Sequence, residues 1–326
     1  MRALAEYEEA GAHRETVRFK NEDDFSRFEE LAENNDDTIS VMQELGYHHA
    51  SKKVILNTIS MAMISDCLHH IYEALTCFEK RKSIVGFNLL RKPLKENLLY
   101  LSWMHGRRDE FYCQFMQGDS KYLSQSKIGA DRRGIYSDAI QQMPQGDVFD
   151  AERIESLIYD RSDRYGFELF FQHAVHLVTI RYPELRTEPE NFNFIFKDPR
   201  DDDLYEVIYS NLPYLMLFMS HVVMGVFHQM RAMDETSRTL FRIRSMLAYS
   251  LIVFPEDDDV LQRFHKTIRD LPRCRNCNRE CKLTPYNLSQ MLFRAVFRCT
   301  YCRKKNPFVF FLLPEYEYAF EEDSPG

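Results

Sequence analysis

The stretch from Val54 to Lys82, VILNTISMAMISDCLHHIYEALTCFEKRK, repeats apolar residues at alternating intervals of four and three. These residues are Ile64, Leu68, Ile71, Leu75 and Phe78. Because an α-helix has about 3.6 residues per turn, this spacing places all of them on one face over several turns. The stretch therefore predicts a long core helix.

The next stretch, GFNLLRKPLKENLLYLSWMHG (86–106), continues the pattern with Leu90, Leu94, Leu98 and Leu101. Pro93 lies inside it and has no amide donor, so we expect it to start the main helix or to kink it. Two apolar helices joined by a short connection predict an antiparallel helical hairpin.

Helical periodicity returns in four later stretches. They are AERIESLIYDRSD (151–163), FELFFQHAVHLVTIRY (167–182), LPYLMLFMSHVVMGVFHQM (212–230) and TLFRIRSMLAYSLIVF (239–254). Residues 117–150 carry four of the eleven glycines and predict loops with short helices. In NFNFIFKD (191–198) phenylalanines alternate, which predicts one isolated strand.

Two features bear on the location of the chain. From Leu212 to Phe227 no residue is formally charged, but these sixteen residues are fewer than the about twenty that cross a bilayer. They predict a buried core helix and no membrane. The first residues, MRALAEYEEAGAHRETVRFKNEDD, contain no apolar signal-peptide core, so we expect a cytoplasmic protein.

The charge of the chain is unevenly distributed. The formal net charge is -8, yet the segment from His265 to Pro307 carries eleven lysines and arginines against two acids, Asp270 and Glu280. The sequence outside this segment is therefore strongly acidic. Such asymmetry predicts an anionic partner for the basic segment, either another molecule or the acidic part of the same chain.

Five of the eight cysteines lie between residues 274 and 302. Cys274-Arg-Asn-Cys277 and Cys299-Thr-Tyr-Cys302 form two CxxC pairs separated by 21 residues. Two thiolates in one tight turn can reach one ion, and two such turns supply four soft ligands for a tetrahedral Zn²⁺ site. Four thiolates leave no open coordination position, so the predicted Zn²⁺ is structural and not catalytic.

Residues 272–313 resemble a zinc ribbon, in which two cysteine turns are joined by short strands. The stretches LFRAVFRC (292–299) and PFVFFLLP (307–314) predict such strands because they are rich in aromatic and branched residues. The glycines that commonly follow the turns are absent, and we expect Asn278 and Asn306 to adopt a positive φ instead. A fifth thiol, Cys281, would replace Cys274 as a ligand if the first turn were CxxxC.

Seven cations lie on or beside the predicted turns, with Tyr286, Phe297 and Tyr301 between them. They are Arg275, Arg279, Lys282, Arg298, Arg303, Lys304 and Lys305. Cations next to aromatic rings are typical of surfaces that bind phosphate backbones and stack on unpaired bases. The pattern predicts a surface for DNA or RNA. The alternative is that this face docks on the acidic helical part or on a partner protein.

Two histidine pairs are candidates for chemistry in the helical part. His173 and His176 are three residues apart in a predicted helix, where they are either core histidines or a pair of metal ligands or acid-base groups. His221 and His228 are two turns apart on one stripe, which predicts helix packing.

A third polar group combines two histidines with two carboxylates. Its members are Asp66, His69, His70 and Glu73. A dinuclear carboxylate site would need a matching motif from another helix, and the sequence has none. The group is therefore predicted to be a solvated polar face.

The hairpin, with its segment RKPLKENLLYL (91–101), resembles the HEPN-type helical domains over about residues 50–230. That resemblance implies a role of the kind found in bacterial toxins, antiviral and other defence systems, and nucleotide-handling proteins. The arginine followed after four to six residues by histidine, which carries the ribonuclease activity of that family, is absent from this chain.

The sequence thus predicts a mainly α protein with a helical domain (1–271), a zinc ribbon (272–313) and an acidic tail (314–326). The leading functional hypothesis is a zinc-ribbon protein that binds nucleic acid, in a bacterial regulatory or defence role. Two alternatives stay open, an enzyme with its active site in the helical domain and a protein-assembly scaffold. The sequence does not decide whether the chain is an enzyme.

Overall fold

A computed structural model shows a mainly α-helical protein with a small β element, as the sequence predicts. The structure describes residues 2–11, 14, 19–34, 37–119, 121–180, 186–187, 189, 192, 203–254, 273–282, 284–294 and 296–307. The α-helices are α1 (Arg2–Glu9), α2 (Glu22–Asn34), α3 (Thr38–Glu44), α4 (His48–Glu79), α5 (Ser83–Lys92), α6 (Leu98–Gly106), α7 (Arg108–Met116), α8 (Gln125–Ile128), α9 (Arg132–Gln141), α10 (Ala151–Tyr159), α11 (Glu168–Val175), α12 (Asp203–Met230), α13 (Glu235–Val253) and α14 (Pro285–Arg294). The strands are β1 (Val296–Arg298) and β2 (Lys305–Pro307).

The chain divides into two compact units. The first comprises Met1–Asp201 with Val222–Ala232, and the second comprises Asp202–His221 with Met233–Gly326. The cysteine-rich segment thus lies in the second unit, together with α13. The predicted boundaries at 271/272 and 313/314, and the acidic tail, fall outside the described residues and stay predictions.

In the first unit, α4 and α5 form the predicted antiparallel hairpin. The rings of Phe78 and Phe87 are 5.1 Å apart near the turn, and farther along Lys92 Nζ lies 2.8 Å from Asp66 Oδ2. Residues late in α4 therefore lie beside residues early in α5, and earlier α4 residues lie beside later α5 residues, which is the antiparallel arrangement. Gly86 allows this close approach, because a Cβ there would lie 2.6 Å from the Phe78 ring.

The two predicted apolar stripes differ in how completely they are buried. Leu90, Leu94, Leu98 and Leu101 are all fully buried. On α4, Ile64, Ile71 and Phe78 are buried, but Leu75 is 46% exposed. The α4 stripe is therefore interrupted, because no described element covers its position at Leu75.

Pro93 begins a π-helical turn and not the main helix. The chain passes from α5 through a π-helical turn, Pro93–Asn97, directly into α6. The turn is closed by Leu98 N–H donating to Pro93 O, five residues back. This turn carries the buried Lys95, whose Nζ lies 2.5 Å from Glu168 Oε2 on α11. The proline thus marks a local widening of the helix that places a cation in the core.

Between residues 117 and 150 the predicted loops and short helices are present. They are α8, a 3₁₀ turn at Gly129–Asp131, α9 and a 3₁₀ turn at Gly146–Val148. α9 lies very close to α6, since a Cβ on Gly106 would be 2.6 Å from the backbone N of Ala139. The strand predicted at 191–198 falls outside the described residues except for Phe192.

The helix predicted over 167–182 is wrong in its second half. α11 ends at Val175, and His176 has an extended backbone. Farther on, Thr179 N–H donates to Thr187 Oγ1 at 2.7 Å and Thr187 N–H donates to Thr179 O at 2.8 Å. These bonds replace the helical ones, and Ile180, which the helix would have placed on its apolar face, is 73% exposed.

Within the described residues, two helices are long and apolar enough to cross a membrane by length and composition, His48–Glu79 and Leu204–Met230. The latter is longer than the sixteen uncharged residues on which the sequence prediction rested. The most apolar windows of the two helices are 44% and 61% buried. Core helices of soluble proteins pass the same test, so this is weak evidence, and the expected absence of a membrane partner stays a prediction.

Candidate metal centre

The first cysteine turn, Cys274 to Cys277, is closed by backbone hydrogen bonds. Asn278 N–H donates to Cys274 O at 2.8 Å, and Cys274 N–H donates to Arg279 O at 3.0 Å. Asn278 has a φ of 56°, in the left-handed region that asparagine tolerates better than most residues. The predicted positive φ at Asn278 is confirmed.

The second turn, Cys299 to Cys302, repeats this geometry. Arg303 N–H donates to Cys299 O at 3.0 Å, and Cys299 N–H donates to Lys304 O at 2.9 Å. The positive φ, 61°, falls on Arg303, which directly follows the second cysteine. The prediction of a positive φ at Asn306 is therefore wrong, and this residue lies in β2 instead.

The segment between the two turns contains a helix that the sequence reading missed. The predicted strand 292–299 is helical in α14 up to Arg294 and extended only from Val296, where β1 pairs antiparallel with β2. The start of α14 carries a recognisable signal, since Thr284 precedes Pro285 and its Oγ1 accepts the Asn287 N–H at 3.1 Å. Beyond Pro307, the strand predicted at 307–314 falls outside the described residues.

Four thiols converge where the two turns face each other. The Sγ atoms of Cys274, Cys277, Cys299 and Cys302 all lie within 4.8 Å of one another. Cys274 Sγ is 3.4 Å from Cys302 Sγ, and Cys277 Sγ is 3.6 Å from Cys299 Sγ. A tetrahedron of sulfur atoms around one ion, each about 2.3 Å from it, has edges of about 3.8 Å. The cluster can therefore hold a metal ion, and with the two strands it fits a zinc ribbon.

Backbone N–H groups stabilise the thiolate form of two of these cysteines. The N–H groups of Cys302 and Tyr301 donate to Cys299 Sγ, both at 3.4 Å, and they lower the pKa of Cys299 to about 6. Burial opposes the same effect at Cys274, but the N–H groups of Cys277 and Asn276 still hold its pKa below the ordinary value. Thiolates are the form that binds metal ions.

Four thiolates so close together require a neighbouring cation to balance their negative charge. Although the Arg279 N–H favours its thiolate, burial and the neighbouring thiols of Cys299 and Cys274 raise the pKa of Cys277 to about 12. Four thiolates thus repel one another when no positive charge lies between them. A divalent ion at the centre would offset much of this repulsion and favour deprotonation of all four thiols.

Asn306 connects the two halves of the cluster from β2. Its side chain is buried, with Oδ1 accepting the Arg275 N–H at 2.8 Å and Nδ2 donating to Cys274 Sγ at 3.5 Å and to Lys304 O at 2.9 Å. Asn306 therefore bonds to the first turn and to Lys304, which lies between the second turn and β2. The sequence reading missed this role, for which the only signal was an asparagine close after the second pair.

We expect Asn306→Ala to weaken metal binding by about 10- to 100-fold while leaving the four ligands in place, because outer partners orient and stabilise ligands. Competition between the protein and a chromogenic chelator for added Zn²⁺ measures the affinity. Asn276→Ala is the matched control, since the Asn276 side chain is exposed and only its backbone N–H reaches Cys274. Equal losses in both variants would contradict the role of Asn306.

Cys281 lies outside the four-thiol set. It is buried, and its Sγ contacts Arg279 O at 3.9 Å. It belongs to an apolar cluster with Leu288, Met291 and Phe297, against which Leu247 of α13 packs. The geometry groups Cys274 with the other three ligands, so the symmetric CxxC pair is the arrangement observed.

The seven cations predicted to bind nucleic acid, Arg275, Arg279, Lys282, Arg298, Arg303, Lys304 and Lys305, are all exposed. Tyr286 and Tyr301 are also exposed, by 60% and 51%, whereas Phe297 is buried. The guanidinium carbon of Arg279 lies 5.1 Å from the centre of the Tyr301 ring. We call the seven cations with these two tyrosines the basic face.

The histidine pairs of the helical part lie in different settings. His173 is half-buried on α11, whereas His176 follows the end of that helix and is exposed, so the two do not share a helical face. His221 is buried, its Nε2 lies 3.0 Å from Ser245 Oγ, and burial lowers its pKa to about 4. His228 lies in the first unit and is half-buried.

In the polar group on α4, Asp66 is hydrogen-bonded to neighbouring side chains. Asp66 accepts from Lys92 Nζ and from Asn97 Nδ2, both at 2.9 Å, and these bonds hold its pKa low against the effect of burial. His69 and Glu73 are exposed. Among the described residues, the four cysteines are the one group placed to hold a metal ion.

No protein-family model, curated protein or solved structure matches the chain. The resemblance of residues 50–230 to HEPN domains thus has no support from a family match.

Proposed function

We propose that the segment around the two cysteine turns is a zinc ribbon that binds nucleic acid through the basic face. The observation that carries the proposal is the exposure of all seven cations beside two exposed tyrosines. Cations bind phosphates, and exposed rings stack on unpaired bases, so the combination suits single-stranded DNA or RNA.

Zinc is the ion that the ligand set favours. Soft thiolates select Zn²⁺ over hard cations, and four of them in a tetrahedral arrangement are typical of structural zinc. The small apolar cluster around Leu288, Met291 and Phe297 gives the segment little core of its own. Metal binding would then supply much of the free energy that folds it.

Docking of the basic face on another part of the chain is the alternative proposal. None of the seven cations forms an ion pair with a described carboxylate of its own unit; there Arg273 pairs with Glu280 at 3.0 Å. The regulatory or defence setting and the cytoplasmic location stay predictions.

The test is the salt dependence of binding to single-stranded and duplex oligonucleotides of unrelated sequence. About five phosphate contacts predict a slope of log affinity against log salt near -4.5 on duplex DNA and near -3.5 on single strands. We expect Arg275→Glu with Arg279→Glu to weaken binding on every sequence and to flatten the slope by about two. Zinc content should be unchanged, because both side chains are exposed and are not ligands.

A matched control reverses two charges elsewhere, with Arg27→Glu and Lys121→Glu, which are exposed in the first unit. Both double variants change the net charge equally. Loss of nucleic-acid binding in the Arg275→Glu/Arg279→Glu variant alone would therefore support the basic face as the binding surface. Absence of binding by the wild-type protein at low salt would refute the proposal. In that case, faster proteolysis of the ribbon variant between residues 255 and 272 would indicate docking instead.

A further inference from the structure

The first unit contains a pocket that none of the sequence motifs predicted. Its volume is about 490 Å³, within the range of small-molecule sites. α4 contributes His49, Lys52 and Lys53, the start of α7 contributes Arg108 and Asp109, and α12 contributes Gln229. Three lysines and arginines thus face one carboxylate, which leaves a formal surplus of two positive charges in the lining.

Arg108 is held in this pocket by neutral oxygen atoms. Its Nη2 donates to Asn57 Oδ1 at 3.0 Å, and its Nη1 donates to Gln229 Oε1 at 3.3 Å. Asn57 is fully buried, and Gln229 is oriented by a 2.9 Å bond from its Nε2 to His105 O. Two amide acceptors fix the guanidinium but do not neutralise it.

Asp109, the carboxylate of the pocket, is paired with Lys52 and not with Arg108. Asp109 Oδ1 accepts from Lys52 Nζ at 2.6 Å, and among the described residues no carboxylate lies within ion-pair distance of Arg108. Burial lowers the pKa of Arg108, and the charge of Asp109 opposes this effect only in part. A fixed guanidinium that has no carboxylate within ion-pair distance can accept an anionic group.

We propose that this pocket binds a small molecule through a phosphate group. Arg108 would supply a preoriented guanidinium, and Lys52 and Lys53 line the same pocket. The surplus of two positive charges matches a phosphate dianion better than a carboxylate monoanion. The site lies in the first unit, and none of the residues of the basic face belongs to it.

The probe is pyrophosphate, titrated calorimetrically at low salt, with acetate as the carboxylate comparison. The titrations use the Arg275→Glu/Arg279→Glu chain, so that phosphate binding at the ribbon does not add to the signal. We expect saturable pyrophosphate binding and much weaker acetate binding. Arg108→Gln should weaken the pyrophosphate affinity by about 10- to 100-fold, because it removes charge-assisted hydrogen bonds.

Two further variants separate a binding role from a structural one. Arg27→Gln removes the same charge from an exposed position on α2 and should leave the affinity unchanged. Asp109→Asn should tighten pyrophosphate binding by about threefold or more, because it removes the negative charge and releases Lys52. If these residues have only a structural role, Asp109→Asn should not increase the affinity for pyrophosphate.

The proposal is overturned if pyrophosphate does not saturate, if acetate binds equally well, or if Arg27→Gln and Arg108→Gln lose the same affinity. Circular dichroism and melting temperature establish that each variant is folded. If Arg108→Gln does not fold, Asp109→Asn decides alone: tighter binding supports the site, and unchanged or weaker binding refutes it.

Discussion

Cys299→Ser is expected to reduce the zinc content from one ion per chain to nearly none and to unfold the cysteine-rich segment. A serine hydroxyl is not ionised at neutral pH, so it cannot replace the thiolate that two backbone N–H groups stabilise at this position. Structural zinc contributes about 10–16 kcal/mol to the folding of small peptides, more than the apolar cluster here can replace. Elemental analysis of protein purified without chelator measures the loss.

Two cysteine variants serve as controls for this result. Cys113→Ser changes an exposed thiol of the first unit and should leave zinc unaffected. Cys281→Ala removes the buried fifth thiol beside the cluster and should also retain the ion, at some cost in packing. Full zinc content in Cys299→Ser, or its loss in Cys281→Ala, would show that the ligand set is different.

Glu168→Gln is expected to lower the free energy of unfolding of the first unit by about 3–5 kcal/mol. The substitution keeps the shape of the side chain but removes the carboxylate 2.5 Å from Lys95 Nζ, in a place where both residues are less than one-tenth exposed. A buried ammonium would then face a neutral amide. Denaturant unfolding followed by circular dichroism measures the change.

The same variant should respond to pH in a defined direction. Burial already lowers the pKa of Lys95, and loss of the Glu168 charge lowers it further. The unfolded chain then binds this proton more tightly than the folded chain. The free energy of unfolding of Glu168→Gln should therefore rise as pH is raised towards the ordinary lysine pKa of about 10.

Replacement of the whole pair separates loss of charge from loss of packing. Lys95→Met with Glu168→Leu should recover most of the stability, because apolar side chains of similar size do not require charge compensation. Arg133→Gln, which breaks the exposed 3.0 Å pair with Glu155, should cost no more than about 1 kcal/mol. A double variant as unstable as Glu168→Gln would contradict this account.

The sequence by itself determined the features that depend on neighbours along the chain. Apolar periodicity predicted the hairpin of α4 and α5, and Ile64 of α4 and Leu90 of α5 are buried as that pattern requires. The spacing of the CxxC pairs predicted the four-thiol cluster, because a tight turn fixes where two cysteines point. Thr284 and Pro285 also carried a signal for the start of α14, but the aromatic residues that follow favoured the prediction of a strand.

Only the tertiary structure decided the features whose partners lie far apart in the chain. Arg108 is held by residues 51 and 121 positions away, and Lys95 is paired with a carboxylate 73 positions away. Local propensity contains no information about such partners, because burial, charge compensation and backbone pairing are settled only when distant segments pack together.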